Sequence, residues 1–195
     1  MPWPDDQRER TRQRILDSAA RLFALRGFEA VSLDDLMTEA GLTRGAFYHH
    51  FRTKTQVYSE SIAYAGQVGG ARLTALGSAG LGSLVDHYLS TDHREGEGLR
   101  CPLAFMATDM THRDDQVRNS YTRTFEGFVS RLQSSLANAG TDSRQRALQL
   151  AATLIGGVAI ARALDDEGLA EELLAACRAG GQALLNDQGL EPEVA

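Results

Sequence analysis

Cysteine is scarce in this chain of 195 residues: Cys101 and Cys177 are the only two, far apart and without a C-x-x-C partner. That excludes a disulfide framework and a thiolate zinc site. Proline is scarce as well. Of the four, two lie in the first four residues and one in the last four, so little interrupts the backbone between them. Lysine occurs once, as Lys54. No stretch approaches the roughly 18 uninterrupted apolar residues that a membrane span requires. The longest, around Leu148 to Leu164, contains Gln149 and Arg162. The opening MPWPDDQRER alternates charges without an apolar core, unlike a secretory signal, so a cytoplasmic chain with no membrane partner is expected. β-Branched alternation is sparse while alanine, leucine, arginine and glutamate abound, which predicts an all-α fold. With 43% hydrophobic residues the chain can bury the core of one large or two small domains.

The formal net charge is −6, which argues against an indiscriminate polyanion binder. Its distribution is uneven. Residues 1–56 hold nine of the 20 Lys and Arg and eight of the 26 Asp and Glu, a balance of +1, so the remainder carries 11 basic and 18 acidic groups, a balance of −7. A near-neutral head on an acidic body suits a protein that touches nucleic acid with one end.

The most informative stretch is SLDDLMTEAGLTRGAFYHHFRTK, residues 32–54. Leu33, Leu36, Met37 and Ala40 recur at helical spacing. Ser32 is a good N-cap, Asp34 and Asp35 put negative charge in the first turn, and Gly41 supplies the permissive backbone just past the helix end. Thr43 caps a second helix expected to run through Phe47 and Tyr48 to about His50. Two helices joined by a glycine turn make a helix-turn-helix, whose second helix fits the major groove of DNA. Thr43, Arg44, Gly45 and Ala46 open that second helix, and being small or polar they let its start approach base edges. Phe47 and Phe51 share a face and suit anchoring. Tyr48, His49, Arg52 and Lys54 fall where hydroxyl, imidazole and cationic groups meet phosphates. His49 and His50 do not form a metal pair, because adjacent helical residues point apart and no third ligand accompanies them.

AGLTRGAFYHHFRTK, preceded by RILDSAARLFALRGFEAVSLDDL, resembles the DNA-binding head of the TetR family of transcriptional regulators over roughly residues 9–69. The resemblance implies an N-terminal three-helix helix-turn-helix domain over 9–69, its motif at about 32–51, joined to a C-terminal helical bundle over 70–190 for ligand binding and dimerisation. It implies DNA contacts from Ser32, Thr43, Arg44, Gly45, Ala46, Tyr48, His49 and Lys54. Arg44 is expected at a base edge, and Tyr48 and Lys54 on phosphates. It further implies a homodimer on double-stranded operator DNA, most often a repressor that a small molecule releases. An activator of the same fold is not separable by sequence.

Outside the motif, helices are expected over Thr11–Arg26, stopped by Gly27, then from near Thr53 to Leu76, Ser83–Ser90, about Asp114–Ala139, ended by Asn138 to Gly140, then Ser143–Leu164 and Leu169–Leu185. Gly77, Gly80 and Gly82 mark a loop, and Thr91–Leu99 reads as an exposed connector. Pro102 suits the first turn of a helix that Cys101 precedes. In the last two helices Leu148, Ala152, Ile155, Gly156, Ala159, Leu173 and Cys177 are expected at a dimer interface, with an intramolecular helix pair as the alternative use of the same residues. The mid-helix Gly156 and Gly157 cost stability unless something packs close to them. By the resemblance, an effector pocket lies among the central helices. Its candidate lining is Tyr64, His87, Tyr88, Cys101, Phe105, Met106, Asp109, Tyr121 and Phe125, which suits an apolar or aromatic small molecule. Cys101, beside Arg100 and ahead of a helix, also fits a thiol that senses oxidants or electrophiles. No cofactor or metal is expected. An enzyme is not expected either, since Asp109 with His112 and Asp86 with His87 lack a nucleophile or third ligand in register, and GLGSLV lacks the glycines and GK[ST] of a phosphate loop.

Overall fold

The computed structural model describes residues 5–76, 80–96, 100–136 and 142–186. These residues are helical or in turns and loops, with no strand among them. The helix end expected at Asn138 to Gly140, the glycine Gly77 and the last part of the connector expected up to Leu99 lie outside the described residues. None of the described helices is long and apolar enough to cross a membrane.

In chain order the helices are α1 (Asp5–Ala30), α2 (Leu33–Glu39), α3 (Arg44–Phe47), α4 (Lys54–Leu76), α5 (Leu81–Tyr88), α6 (Thr91–Glu95) and α7 (Pro102–Phe105), then a 3-10 turn (Ala107–His112), α8 (Asp115–Ser135), α9 (Ser143–Ala163) and α10 (Glu167–Asn186). Helix α1 begins earlier than its apolar pattern suggested, and Gly27 breaks it as expected, at φ 74° and ψ 171°. A side chain rarely adopts that backbone, so glycine is required there. The chain divides into two compact units, one of Met1–Val68 with Arg100–Thr124, the other of Gly69–Leu99 with Phe125–Ala195. Residues 100–124 thus pack with the N-terminal helices rather than with the sequence that flanks them.

The first unit is built on the apolar faces of α1, α2 and α4. Ile15, Ala19, Leu22, Phe23, Leu36, Met37, Phe47, Phe51, Val57, Tyr58 and Ile62 form one buried cluster, which Met106, Met110 and Val117 complete from the 100–124 segment. Leu103, Met106 and Met110, three to four residues apart, are all buried. Inside the cluster, Tyr58 packs edge-on to Phe23 at 4.7 Å between ring centroids and tilted against Phe28 at 5.0 Å. Asp109 ties this cluster together. Its Oδ2 accepts from the Tyr58 hydroxyl at 2.6 Å and from the Phe28 backbone N–H at 3.3 Å. A half-buried carboxylate is stable where such donors replace the water it has lost. Burial and that carboxylate push the Tyr58 phenol far above its ordinary pKa.

In the second unit α9 and α10, joined by a short connection, pair along their length and receive α5 and α6. Leu150, Leu154, Val158, Ala170 and Leu174 fill the contact. The connector expected over Thr91–Leu99 begins instead as the one-turn α6, with Ser90 as its N-cap and with His93 and Arg94 buried. The reason is charge compensation across the sequence, because the Arg94 Nη2 donates to both carboxylate oxygens of Glu167 at 2.7 Å and to Glu95. Arg146 reaches the Leu184 carbonyl near the end of α10, where a cation complements the helix dipole. The two adjacent glycines of α9 separate in role. A Cβ on Gly157 would lie 2.8 Å from Leu89 Cδ2 and 3.1 Å from Cys177 Sγ, whereas one on Gly156 would meet nothing within 4 Å. Only Gly157 is explained by packing within this unit. Gly157→Val is therefore expected to cost about 1–3 kcal/mol by overpacking, read as a lowered midpoint in urea unfolding.

Candidate nucleic-acid interface

The helix-turn-helix is set up by local chemistry. Ser32 and Asp35 form a reciprocal capping box: the Ser32 hydroxyl accepts from the Asp35 N–H at 3.1 Å, and Asp35 Oδ2 accepts from the Ser32 N–H at 2.8 Å. The Ser32 hydroxyl also donates to Asp35 Oδ2 at 2.6 Å. These bonds hold the Asp35 carboxyl below its usual range. At the other end of α2, Gly41 turns the chain at φ 63° and Leu42 N–H donates to the Met37 carbonyl at 2.8 Å. Arg14 of α1 donates to the Ala40 carbonyl at 2.6 Å, fastening the helix end to α1. Thr43 takes the extended N-cap conformation without a side-chain capping bond.

The second helix is shorter than its sequence suggested. It covers only Arg44–Phe47, and Tyr48 to His50 continue as a turn in which the His50 and Phe51 N–H groups both donate to the Phe47 carbonyl at 2.9 Å. The shared acceptor ends the helix and brings Phe51 back under Phe47, their ring centroids 5.7 Å apart and both rings buried. With these two as anchors, Ser32, Thr43, Arg44, Gly45, Tyr48 and His49 are exposed, while Ala46 is half-buried against the core. Tyr48 is 57% exposed and stands edge-on to Phe47. A Cβ on Gly45 would find only Thr43 Oγ1, at 4.0 Å, so packing within the chain does not demand glycine there. Arg44 Nη1 pairs with Asp34 of α2 at 3.0 Å.

Lys54 begins α4 half-buried, its Nζ 4.3 Å from the centroid of the Phe28 ring. The Arg113 guanidinium lies 4.5 Å from the same ring and pairs with Glu29 at 2.9 Å. Burial pushes the Lys54 ammonium below its ordinary pKa, with Glu29 opposing and Arg113 reinforcing the shift. Sequence reasoning missed Phe28, Arg113 and Asp34 as neighbours of the interface, since no local periodicity links them to Lys54 or Arg44. It also missed Arg8 and Arg12. The Arg12 guanidinium lies 5.2 Å from the centroid of the Phe51 ring and pairs with Glu60, and His50 is held below its ordinary pKa by burial first, then by Arg8, His49 and Arg12. The i, i+4 spacing of the two arginines in QRERTRQR was the available signal.

The candidate effector residues do not gather in one unit. Tyr64, Cys101, Phe105, Met106, Asp109 and Tyr121 belong to the first, and His87, Tyr88 and Phe125 to the second. Met106 is core and Asp109 is engaged by Tyr58 and Phe28, so both are committed within the first unit. Tyr64 donates to Asp17 at 2.8 Å and Tyr121 to the Leu103 carbonyl at 2.7 Å. Tyr88 is buried between His93 and Phe128, and His87 is exposed. Cys101 is half-buried, and the α7 it precedes is a four-residue turn, whose dipole is small. Of the residues expected at a dimer interface, Leu148, Ala152, Gly156 and Ala159 run along one side of α9, the first two exposed and the last two half-buried. Ile155 is buried, Leu173 is half-buried, and Cys177 packs on Gly157. Ile160 and Leu169, exposed by 53% and 49%, extend this apolar surface and had not been singled out.

Residues 15–60 match the family described as bacterial regulatory proteins, tetR family. The chain is 34% identical over 114 residues to the uncharacterized HTH-type transcriptional regulator Rv0196 of Mycobacterium tuberculosis, a match covering 55% of this chain and 57% of that one. It is 48% identical over 52 residues to the HTH-type transcriptional regulator AcrR of Shigella flexneri, covering 27% and 24% of the two chains. The chain thus spans little more than half the length of the first of these relatives and about a quarter of the second. The reduced form of E. coli NemR superposes with a TM-score of 0.74 at 20% identity, covering 89% of this chain and 97% of that one, a likeness of fold.

Two substitutions test the phosphate side of the interface. Lys54→Ala is expected to weaken binding to all DNA sequences alike and to lower the slope of log affinity against log salt by about 1. Tyr48→Phe is expected to lose about tenfold, equally uniformly, with the loss of one hydrogen bond to a charged oxygen. Fluorescence anisotropy across a salt series measures both.

Proposed function

The chain belongs to the TetR family of transcriptional regulators, and from that footing we propose that it is a homodimeric repressor that binds a palindromic operator and is released by a small apolar or aromatic effector. The observation that carries the reading is the division of labour in α3 and the turn after it. Phe47 and Phe51 are buried as anchors, and Thr43, Arg44, Gly45, Tyr48 and His49 remain exposed on the segment they anchor. Arg44 presents donors for guanine N7 and O6 at the start of the helix, and Gly45 leaves room for a base edge to approach. Tyr48, His49 and Lys54 take phosphates.

Dimerisation supplies what one four-residue helix lacks. A single recognition helix touches a few base pairs, while two related by a two-fold axis read half-sites about one helical turn, roughly 34 Å, apart. Support for the dimer comes from the apolar stripe of α9, with Leu148 and Ile160 exposed and Gly156 facing no atom of its own chain within 4 Å. A patch of this kind is uncommon on a monomer. Helices α4 and α8 each contribute residues to both compact units, and in this reading the effector acts through them. A coupling of about 1–3 kcal/mol, some 5- to 150-fold in affinity, is the usual scale.

Arg44→Ala is expected to relax preference at one base pair per half-site at a cost of about 1–3 kcal/mol. Equal losses on every operator variant in a binding panel would demote Arg44 to a phosphate contact. Gly156→Arg places a cation in the apolar stripe without a clash inside the chain. It is expected to yield a folded monomer by sedimentation and to lose the affinity gained from the second half-site. A dimer that survives this substitution would move the interface elsewhere.

A further inference from the structure

Asp34 shares with Asp35 the task of placing negative charge in the first turn of α2, and it has a partner besides. It stands in the first turn of α2, exposed, with its Oδ2 3.0 Å and its Oδ1 3.3 Å from Nη1 of Arg44. The start of α2 is already capped by Ser32 and Asp35, and the α2–α3 turn is held by the Leu42–Met37 backbone bond, by Arg14 on Ala40 and by the burial of Phe47. An ion pair with both side chains more than half exposed adds at most about fivefold to an equilibrium. On a surface that meets phosphates, moreover, a carboxylate lowers affinity for every DNA sequence. The helix dipole accounts for a carboxylate in this turn but not for its pairing with the arginine at the head of α3, which calls for a further account.

We propose that Asp34 is a positioning residue that turns Arg44 from a phosphate contact into a base reader. This rests on the reading of Arg44 as the residue at a base edge. A guanidinium carries five N–H donors in a rigid plane. With Nη1 engaged by Asp34, the Nε and Nη2 edge remains, and its spacing matches guanine O6 and N7. An unpaired arginine on a flexible stem samples many rotamers and finds phosphates as readily as bases. The carboxylate removes the first freedom by fixing one end of the plane. It removes the second by neutralising the guanidinium toward the backbone, so that the pair contributes little to counterion release. Both residues are exposed, so their substitution leaves the core of the unit intact.

The test is a double-mutant cycle on a panel of operator variants, each differing at one base pair, with Asp34→Ala, Arg44→Ala and the double variant compared in binding and in salt dependence. Unchanged melting temperatures establish that all three are folded. The expected result is that Asp34→Ala binds random DNA more tightly, with a salt slope steeper by about 1. At the same time it loses about two- to fivefold of discrimination at the base pair where Arg44→Ala loses its preference, and the double variant discriminates no worse than Arg44→Ala alone. Asp34→Glu, which retains a carboxylate, is expected to preserve most of that discrimination. If Asp34→Ala raises affinity by one factor across the panel and leaves the preference in place, Asp34 is only a neighbouring charge and the proposal fails while Arg44 stays a reader. If Arg44→Ala itself lowers binding uniformly, the base-reading assignment and the role of Asp34 fall together.

Discussion

A recognition helix of four residues cannot sustain itself. Helices shorter than about 12 residues are marginal in water even in favourable sequences, and this one contains a glycine in its single turn. It exists because Phe47 and Phe51, brought onto one side by the shared Phe47 carbonyl, are buried in a core made by α1, α2 and α4. The remaining features of the interface follow from that anchorage. The faces left over are those of Thr43, Arg44, Gly45, Tyr48 and His49, and their exposure is fixed by which two rings point inward.

The same core reaches beyond the sequence motif. Residues 100–124 complete it through Met106, Met110 and Val117, and Asp109 binds Tyr58 and the Phe28 backbone, while Arg113 shares the Phe28 ring with Lys54. The cation at the start of α4 thus lies over Phe28, from earlier in the chain, on a ring it shares with Arg113, from later in the chain. Through Asp109 and Arg113 a segment outside the motif is packed against the same Phe28 that lies under Lys54.

The helix-turn-helix was legible in the sequence because its determinants are local. The Ser32 N-cap, the positive φ at Gly41 and the Phe47–Phe51 spacing each depend on a few neighbouring residues, and each is found as expected, the cap deepened by Asp35 into a reciprocal box. What was not legible depends on distant partners. The chain over Thr91–Glu95 looks like a polar connector until Glu167 compensates a buried Arg94, and Asp109 looks like a candidate pocket residue until Tyr58 and Phe28 claim it. The length of α3 was overestimated for a related reason: periodicity continues through Tyr48 and His50, but the hydrogen bonds tighten to favour Phe51 burial. Gly156 and Gly157 show both cases side by side, since nothing in the sequence tells which of two adjacent glycines faces the core and which faces outward.

Sequence-specific reading by a two-fold pair of such heads is the central claim, and selection of bound duplexes from a random DNA pool at near-physiological salt tests it most directly. The account predicts enrichment of a palindrome whose half-sites lie about one helical turn apart. Recovery of DNA without a common motif, from protein shown to be folded and dimeric, would contradict it.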